Sequence, residues 1–170
     1  MTQPKSSATG GRSGRRAFVV LGLMILVVVA LRLFVATPLR VDGESMSPTL
    51  HGGQVVLVDE LGLDLDRGDL VVFADPQGSS SVKRVIGIPG DRVVIRDAVL
   101  SVNDQPVDEP YVDAASIDGL YTPTTVVPDG HLFVLGDNRA RSVDSRAYGP
   151  VDLDDVEGKV LLRLWPPGTP

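Results

Sequence analysis

Cysteine is absent from the 170 residues, which excludes a disulfide framework, a cysteine nucleophile and every thiolate metal site. Only two histidines occur, His51 and His131, too few for a histidine-based zinc site. One follows a polar turn and the other opens an apolar run, and both read as surface residues. No cofactor or metal is expected. The first 16 residues contain no acid but carry Lys5, Arg12, Arg15 and Arg16. The net charge of −6 therefore divides into +4 for this tail and −10 for the rest. A domain that acidic repels a phosphate backbone, so no nucleic acid is expected as a partner.

What is abundant is apolar and turn-forming. From Ala17 to Leu31 run 15 apolar residues without a break, and the stretch resumes after Arg32 to reach Ala36. Twenty residues at about 1.5 Å rise span about 30 Å, the thickness of a hydrocarbon core. Arg32 lies one turn from the far end, where its stem can carry the charge to the interface. Pro38 is expected to end the helix. Basic residues before the run orient it with the N-terminus in the cytoplasm. The organisation expected is a cytoplasmic tail over residues 1–16, a single-pass anchor over 17–36 and an extracytoplasmic domain over 37–170. A cleavable leader is disfavoured: cutting after Ala36 puts bulky Phe34 three positions back, and cutting after Ala30 falls inside the apolar run.

The remainder holds most of the 18 glycines and 13 prolines and reads as short strands. Val/Leu/Ile-rich runs occupy Gln54–Asp59, Asp69–Phe73, Val82–Ile88, Arg92–Ile95, Val99–Val102, Leu132–Leu135 and Lys159–Leu164. Gly52-Gly53, Asp75-Pro76, Pro89-Gly90-Asp91, Asn103-Asp104 and Pro128-Asp129-Gly130 mark turns between them. After Pro38 no stretch keeps a helical period over 11 residues. Residues 108–125 read as a long surface excursion. Trp165 and Pro166-Pro167 suit a packed end or an interfacial anchor. The fold class expected is mainly β, antiparallel, following one transmembrane helix.

Three segments carry side chains suited to chemistry. The first is Gly43-Glu44-Ser45-Met46-Ser47-Pro48-Thr49-Leu50, a polar loop in which a lone serine is ordinarily just solvated. The second is Ser81–Asp91. Side chains alternate along a strand, so Ser81, Lys83 and Val85 share one face while Val82, Arg84 and Ile86 share the other. Whichever face turns inward, one of the two cations goes with it. An edge strand guarded by charge is the plain alternative. A buried Lys83 would instead lose its proton and serve as a base for a serine hydroxyl. The third is Gly136–Arg146, a charged loop following the apolar Leu132–Leu135. Asp144 and Arg146, two apart, are placed to share a face and pair.

Taken together these segments resemble the bacterial type I signal peptidases. The likeness rests on the Ser-Met-x-Pro-Thr box, the Arg-Gly-Asp-Leu-Val-Val-Phe strand (Arg67–Phe73), the Lys-Arg-Val-Ile-Gly-x-Pro-Gly-Asp box and the Gly-Asp-Asn-Arg…Ser-x-Asp-Ser-Arg box. It extends from the apolar run to about Val151. The resemblance implies the signal-peptidase-type antiparallel β-fold, shared with self-cleaving SOS repressors. It also implies endoproteolytic removal of signal peptides from exported preproteins at the bacterial cell membrane. Ser45 matches the nucleophile, Lys83 the general base and Ser142 the serine that orients the lysine. Asp144 and Arg146 match a supporting pair, and Met46 the apolar substrate- and membrane-facing surface. The partners implied are preproteins with small residues before the cleavage site, and the lipid bilayer.

Two positions depart from the pattern. Gly43 stands where many members carry a serine hydroxyl, which leaves oxyanion stabilisation to backbone N–H groups, chiefly that of Ser45. Arg139-Ala140-Arg141-Ser142 replaces Arg-Asp-Asn-Ser, removing a carboxylate. The rival from another class is a non-catalytic, membrane-anchored extracytoplasmic β-module, which has no use for Ser45, Lys83 and Ser142 together. A self-processing repressor relative would carry a DNA-binding domain where the apolar run lies.

Overall fold

The computed structural model describes residues 11–34, 36–60, 64–112, 117 and 121–166. It divides into two compact units, Met1–Ala36 and Thr37–Pro170. The described part of the first is one helix, α1 (Gly11–Phe34). It starts before the apolar run, since the arginines there are good helix formers, and it stops short of Pro38. Its described side chains, from Ala17 to Val28, are all exposed. That stretch by itself is short, and among the described residues no helix is long and apolar enough to cross a membrane. The tail before Gly11 and the reach expected of the Arg32 side chain lie outside the described residues.

The second unit is built from eleven strands among the described residues: β1 (Ala36–Arg40), β2 (Val55–Asp59), β3 (Leu70–Ala74), β4 (Ser80–Gly87), β5 (Arg92–Arg96), β6 (Val99–Val102), β7 (Gln105–Pro106), β8 (Thr125–Val126), β9 (His131–Leu135), β10 (Val151–Asp152) and β11 (Val156–Trp165). One short helix, α2 (Ser145–Tyr148), interrupts them. Seven strands form a sheet in the order β1-β2-β11-β3-β4-β9-β10, and four form a second in the order β7-β6-β5-β8. The recorded pairings are antiparallel. Pro38 sits in β1, an edge strand, where its missing N–H breaks no ladder.

β3 explains where the core lies. Leu70, Val71, Val72 and Phe73 are all buried, as befits an unbroken apolar run in the middle of a sheet. Leu70 and Val72 pack with Met46, Leu50 and Val82 in one cluster, while Val71 and Phe73 pack with Val85, Leu132 and Val134 in another. A third cluster joins Ile86, Phe133 and Leu135 of the large sheet to Val93, Ile95 and Leu100 of the small one. The large sheet is thus covered on both faces around β3 and β4. Trp165, at the end of β11, is exposed rather than packed.

Candidate active site

Coverage of both faces settles the fate of the two cations on β4. The register sets Lys83 opposite Val71 and Arg84 opposite Leu70 and Leu135. Because successive side chains point to opposite faces, both are drawn inward, where the alternation alone had required only one. Arg84 finds a carboxylate: Nε and Nη2 donate to Asp137 Oδ1 and Oδ2 at 2.9 and 2.7 Å. Lys83 is 4% exposed and, among the described residues, has no ion-pair partner. Its Nζ donates to Ser45 Oγ at 2.8 Å and to Val82 O at 3.2 Å. Loss of water around the ammonium lowers its pKa, and the charges of Asp144 and then Asp75 restore only part of the loss.

Ser45 sits in the loop between β1 and β2. Gly43 takes φ +80°, a left-handed conformation that glycine adopts without strain. Ser47 N–H then donates to Glu44 O and Leu50 N–H to Met46 O, a single turn that places Met46 and Leu50 on one side. Both are buried in the first cluster, which pins the turn and leaves Ser45 at a cleft. The cleft holds about 350 Å³ and is lined by residues 39–42, Ser45 and residues 79–83. Met46 is 1% exposed, so the membrane-facing position expected for it is corrected: the turn that presents Ser45 buries the next side chain beneath it.

The third segment closes over Ser45 from β9. Asn138 N–H donates to Ser45 O at 3.0 Å. A Cβ on Gly136 would fall 2.2 Å from Ser142 Oγ and 2.6 Å from Ser45 O, so only a glycine lets these segments meet. Asp144 is buried and does pair with Arg146, at 2.7 Å to Nε and 2.8 Å to Nη2. The pair does not share a strand face as expected. Asp144 caps α2 by accepting from Arg146 N–H and also accepts from Gly136 N–H at 3.0 Å. Arg146 Nη2 donates further to the Arg139 and Ser142 carbonyls. The Ser142 hydroxyl, expected to help orient Lys83, is buried beside Gly136 and has no hydrogen-bond partner among the described residues. Ala140 and Arg141 are exposed, so the missing carboxylate belongs to the surface and not to the buried network.

Neither histidine bonds to this centre. His51 Nδ1 lies 3.1 Å from an exposed Glu44 carboxylate, whose pKa is lowered first by that contact and then by the Gly52 N–H. His131 Nδ1 lies 2.9 Å from Asp129 O. Among the described residues no group of three or more His, Asp or Glu side chains is arranged to hold a metal ion. Sequence reasoning passed over Asp137, Thr49, Gly136 and Asp75, all of which brace the site. Thr49 Oγ1 donates to Asp137 Oδ2, and Ser81 Oγ donates to Asp75 at 2.8 Å. The adjacency of Arg84 to Lys83 was the available signal for a partner such as Asp137.

Among the described residues, the side chain bonded to the Ser45 hydroxyl is an amine, as in serine endopeptidases that use lysine where others use histidine. Comparison with known proteins narrows the class. The family described as "Signal peptidase, peptidase S26" matches residues 15–165. Signal peptidase I of Bacillus caldolyticus is 42% identical over 84% of this chain and 86% of its own. Signal peptidase IB of Staphylococcus aureus is 37% identical over 87% and 86%. A crystal structure of a signal peptidase I from Enterococcus faecalis V583 superposes with a TM-score of 0.51 at 38% identity, covering 58% of this chain and 97% of that one. The chain belongs to the signal peptidase family.

The backbone at Gly43 gives the first prediction. Space around a Cβ there is open, but φ is +80°. Gly43→Ser should therefore destabilise the domain by about 1 kcal/mol, lowering Tm by about 2–4 °C. An unchanged Tm in a thermal melt would show that the turn relaxes freely.

Proposed function

We propose that Ser45 is the nucleophile and Lys83 the general base of signal-peptide cleavage. The observation that carries this reading is a buried lysine amine, with no ion-pair partner among the described residues, 2.8 Å from a serine hydroxyl at the edge of a cleft. With the amine neutral, the hydroxyl donates to its lone pair. Lys83 takes the proton as Oγ bonds to the scissile carbonyl carbon, and the oxyanion is met by backbone N–H groups, chiefly that of Ser45. On collapse of the intermediate the C–N bond breaks, and Nζ returns its proton to the departing amine. Water, deprotonated by the same amine, then releases the acyl group and restores Ser45.

The cleft beside β4 suits an extended chain laid along the strand, with small side chains entering where Val41 and Val82 leave little depth. The supporting residues act by position: Asp144 and Arg146 hold the loop, and Ser142 lies buried next to the centre. The apolar run in α1, with basic residues before it, supports a single-pass anchor that leaves residues 37–170 outside the cytoplasm. The exposed Trp165 suits the lipid interface. A β-module without activity would leave a buried lysine bonded to a serine hydroxyl unexplained.

Replacing Lys83 with Met keeps the apolar stem and removes the amine. Cleavage of a preprotein should fall by about 10²–10⁴-fold with the fold retained. Ser45→Ala should fall at least as far, and the double variant little further, because the two act as a unit. In the wild type the rate should rise with pH through one ionisation, since only the neutral amine is active. A folded Lys83→Met protein that still cleaves at a substantial rate contradicts the mechanism. Topology is tested separately: a reporter fused after Pro170 should be active only outside the cytoplasm, and activity in the cytoplasm refutes the orientation.

A further inference from the structure

The segment that leaves the small sheet was expected to run over the surface, yet its first residues turn inward. Val107 N–H donates to Leu100 O, which ties the start of the segment to β6. Glu109, with 8% of its side chain exposed, then grips Arg139, with 1% exposed. Its Oε2 accepts from Nη1 at 3.1 Å, and its Oε1 accepts from Nη2 in a second, shorter bond. Tyr111 donates to the same carboxylate at 3.1 Å, and its ring lies under the Arg84 guanidinium, 3.8 Å from centroid to Cζ.

These two arginines reach the nucleophile by separate routes. Arg139 Nε donates to Gly136 O at 3.0 Å, and the neighbouring Asn138 N–H donates to Ser45 O at 3.0 Å. Arg84 holds Asp137, which accepts from Thr49 Oγ1, four residues after Ser45. We propose that Glu109 and Tyr111 are positioning residues, a latch that fixes residues 136–142 and the turn over residues 45–49 so that Ser45 stays in reach of Lys83. The proposal rests on the reading of that dyad given above.

Neither residue touches the reacting atoms, so the effect of loosening the latch falls on the chemical step. Without the Glu109 charge the Arg139 guanidinium is buried and uncompensated, and its loop must shift to find water. Displacing a nucleophile by about 1 Å lowers the rate by on the order of 100-fold. Neither Glu109 nor Tyr111 lines the cleft beside β4.

The test uses the full chain in detergent micelles, with kcat and KM on a preprotein, the rate of Ser45 acylation by a serine-reactive probe, and Tm. Glu109→Gln should lower kcat and the acylation rate in parallel by about 10–100-fold, with KM changed by less than about twofold. Tyr111→Leu should lower both by about 3–10-fold. Adding Arg139→Met to Glu109→Gln removes the orphaned charge, so Tm should recover while kcat does not, because the donor to Gly136 O is gone. Recovery of kcat together with Tm, or wild-type kcat in folded Glu109→Gln and Tyr111→Leu, overturns the latch. If Glu109→Gln does not fold, Tyr111→Leu, which leaves Arg84 on Asp137 and Glu109 on Arg139, decides alone. Failure of the wild type to be acylated at Ser45 would overturn the dyad and the latch with it.

Discussion

Lys83 sits in the middle of a covered sheet with its ammonium stripped of water and, among the described residues, given no ion-pair partner; the charges of Asp144 and Asp75 offset only part of that loss. An isolated buried charge is among the least favourable groups a domain can hold, and the cheapest relief is loss of the proton. The condition depends on the sheet being closed on both faces around β4, with Val71 and Val85 packed on the side that Lys83 shares. Arg84, one residue on, meets the same burial with the opposite outcome. Its guanidinium cannot deprotonate, and it is met by Asp137 with two hydrogen bonds. One strand therefore carries one cation in an ion pair and one without such a partner among the described residues, and on the reading proposed above that difference is what makes Lys83 a base.

The buried Lys83 amine weighs on stability. Its folded pKa lies below the ordinary value of 10.5, so between the two values the unfolded chain binds the extra proton. Stability contributed by this group is complete above the ordinary value and declines as pH falls toward the folded one. The other buried charges near the site offset one another in pairs: Arg84 with Asp137, Arg139 with Glu109, Arg146 with Asp144. Such pairs add little net stability, but each fixes the direction of a loop. Here they bring three separated pieces of chain, around Ser45, Lys83 and Asn138, within hydrogen-bond distance.

Much of this was readable from residue patterns. All seven strands expected from Val/Leu/Ile runs are present within a few residues at each end, because runs such as Leu70–Phe73 have no favourable place but a sheet interior. The two-residue strands β7, β8 and β10 carry too short a pattern to register, and β1 holds a proline that argues against any strand. At the site, Ser45 and Lys83 were placed by their boxes, but local spacing misjudged how their neighbours are held. Met46 was assigned to a substrate- and membrane-facing surface by the family resemblance alone, and the turn it shares with Leu50 sends it inward. Asp144 and Arg146 were paired correctly on the wrong geometry, since a helix cap and a strand face both accommodate residues two apart. Glu109 was invisible for a different reason: its partner lies 30 residues away, and only the folded loop brings them together.

Whether Lys83 is neutral can be observed directly. The chain has only three lysines, Lys5, Lys83 and Lys159, and Lys159 pairs with Asp69 at 2.7 Å. In protein labelled at the lysine side chains, an NMR titration should show one signal, missing from Lys83→Met, that loses its proton below the ordinary lysine value of 10.5. A Lys83 signal that titrates at that ordinary value would mean that the amine is charged in the resting enzyme and is not the base.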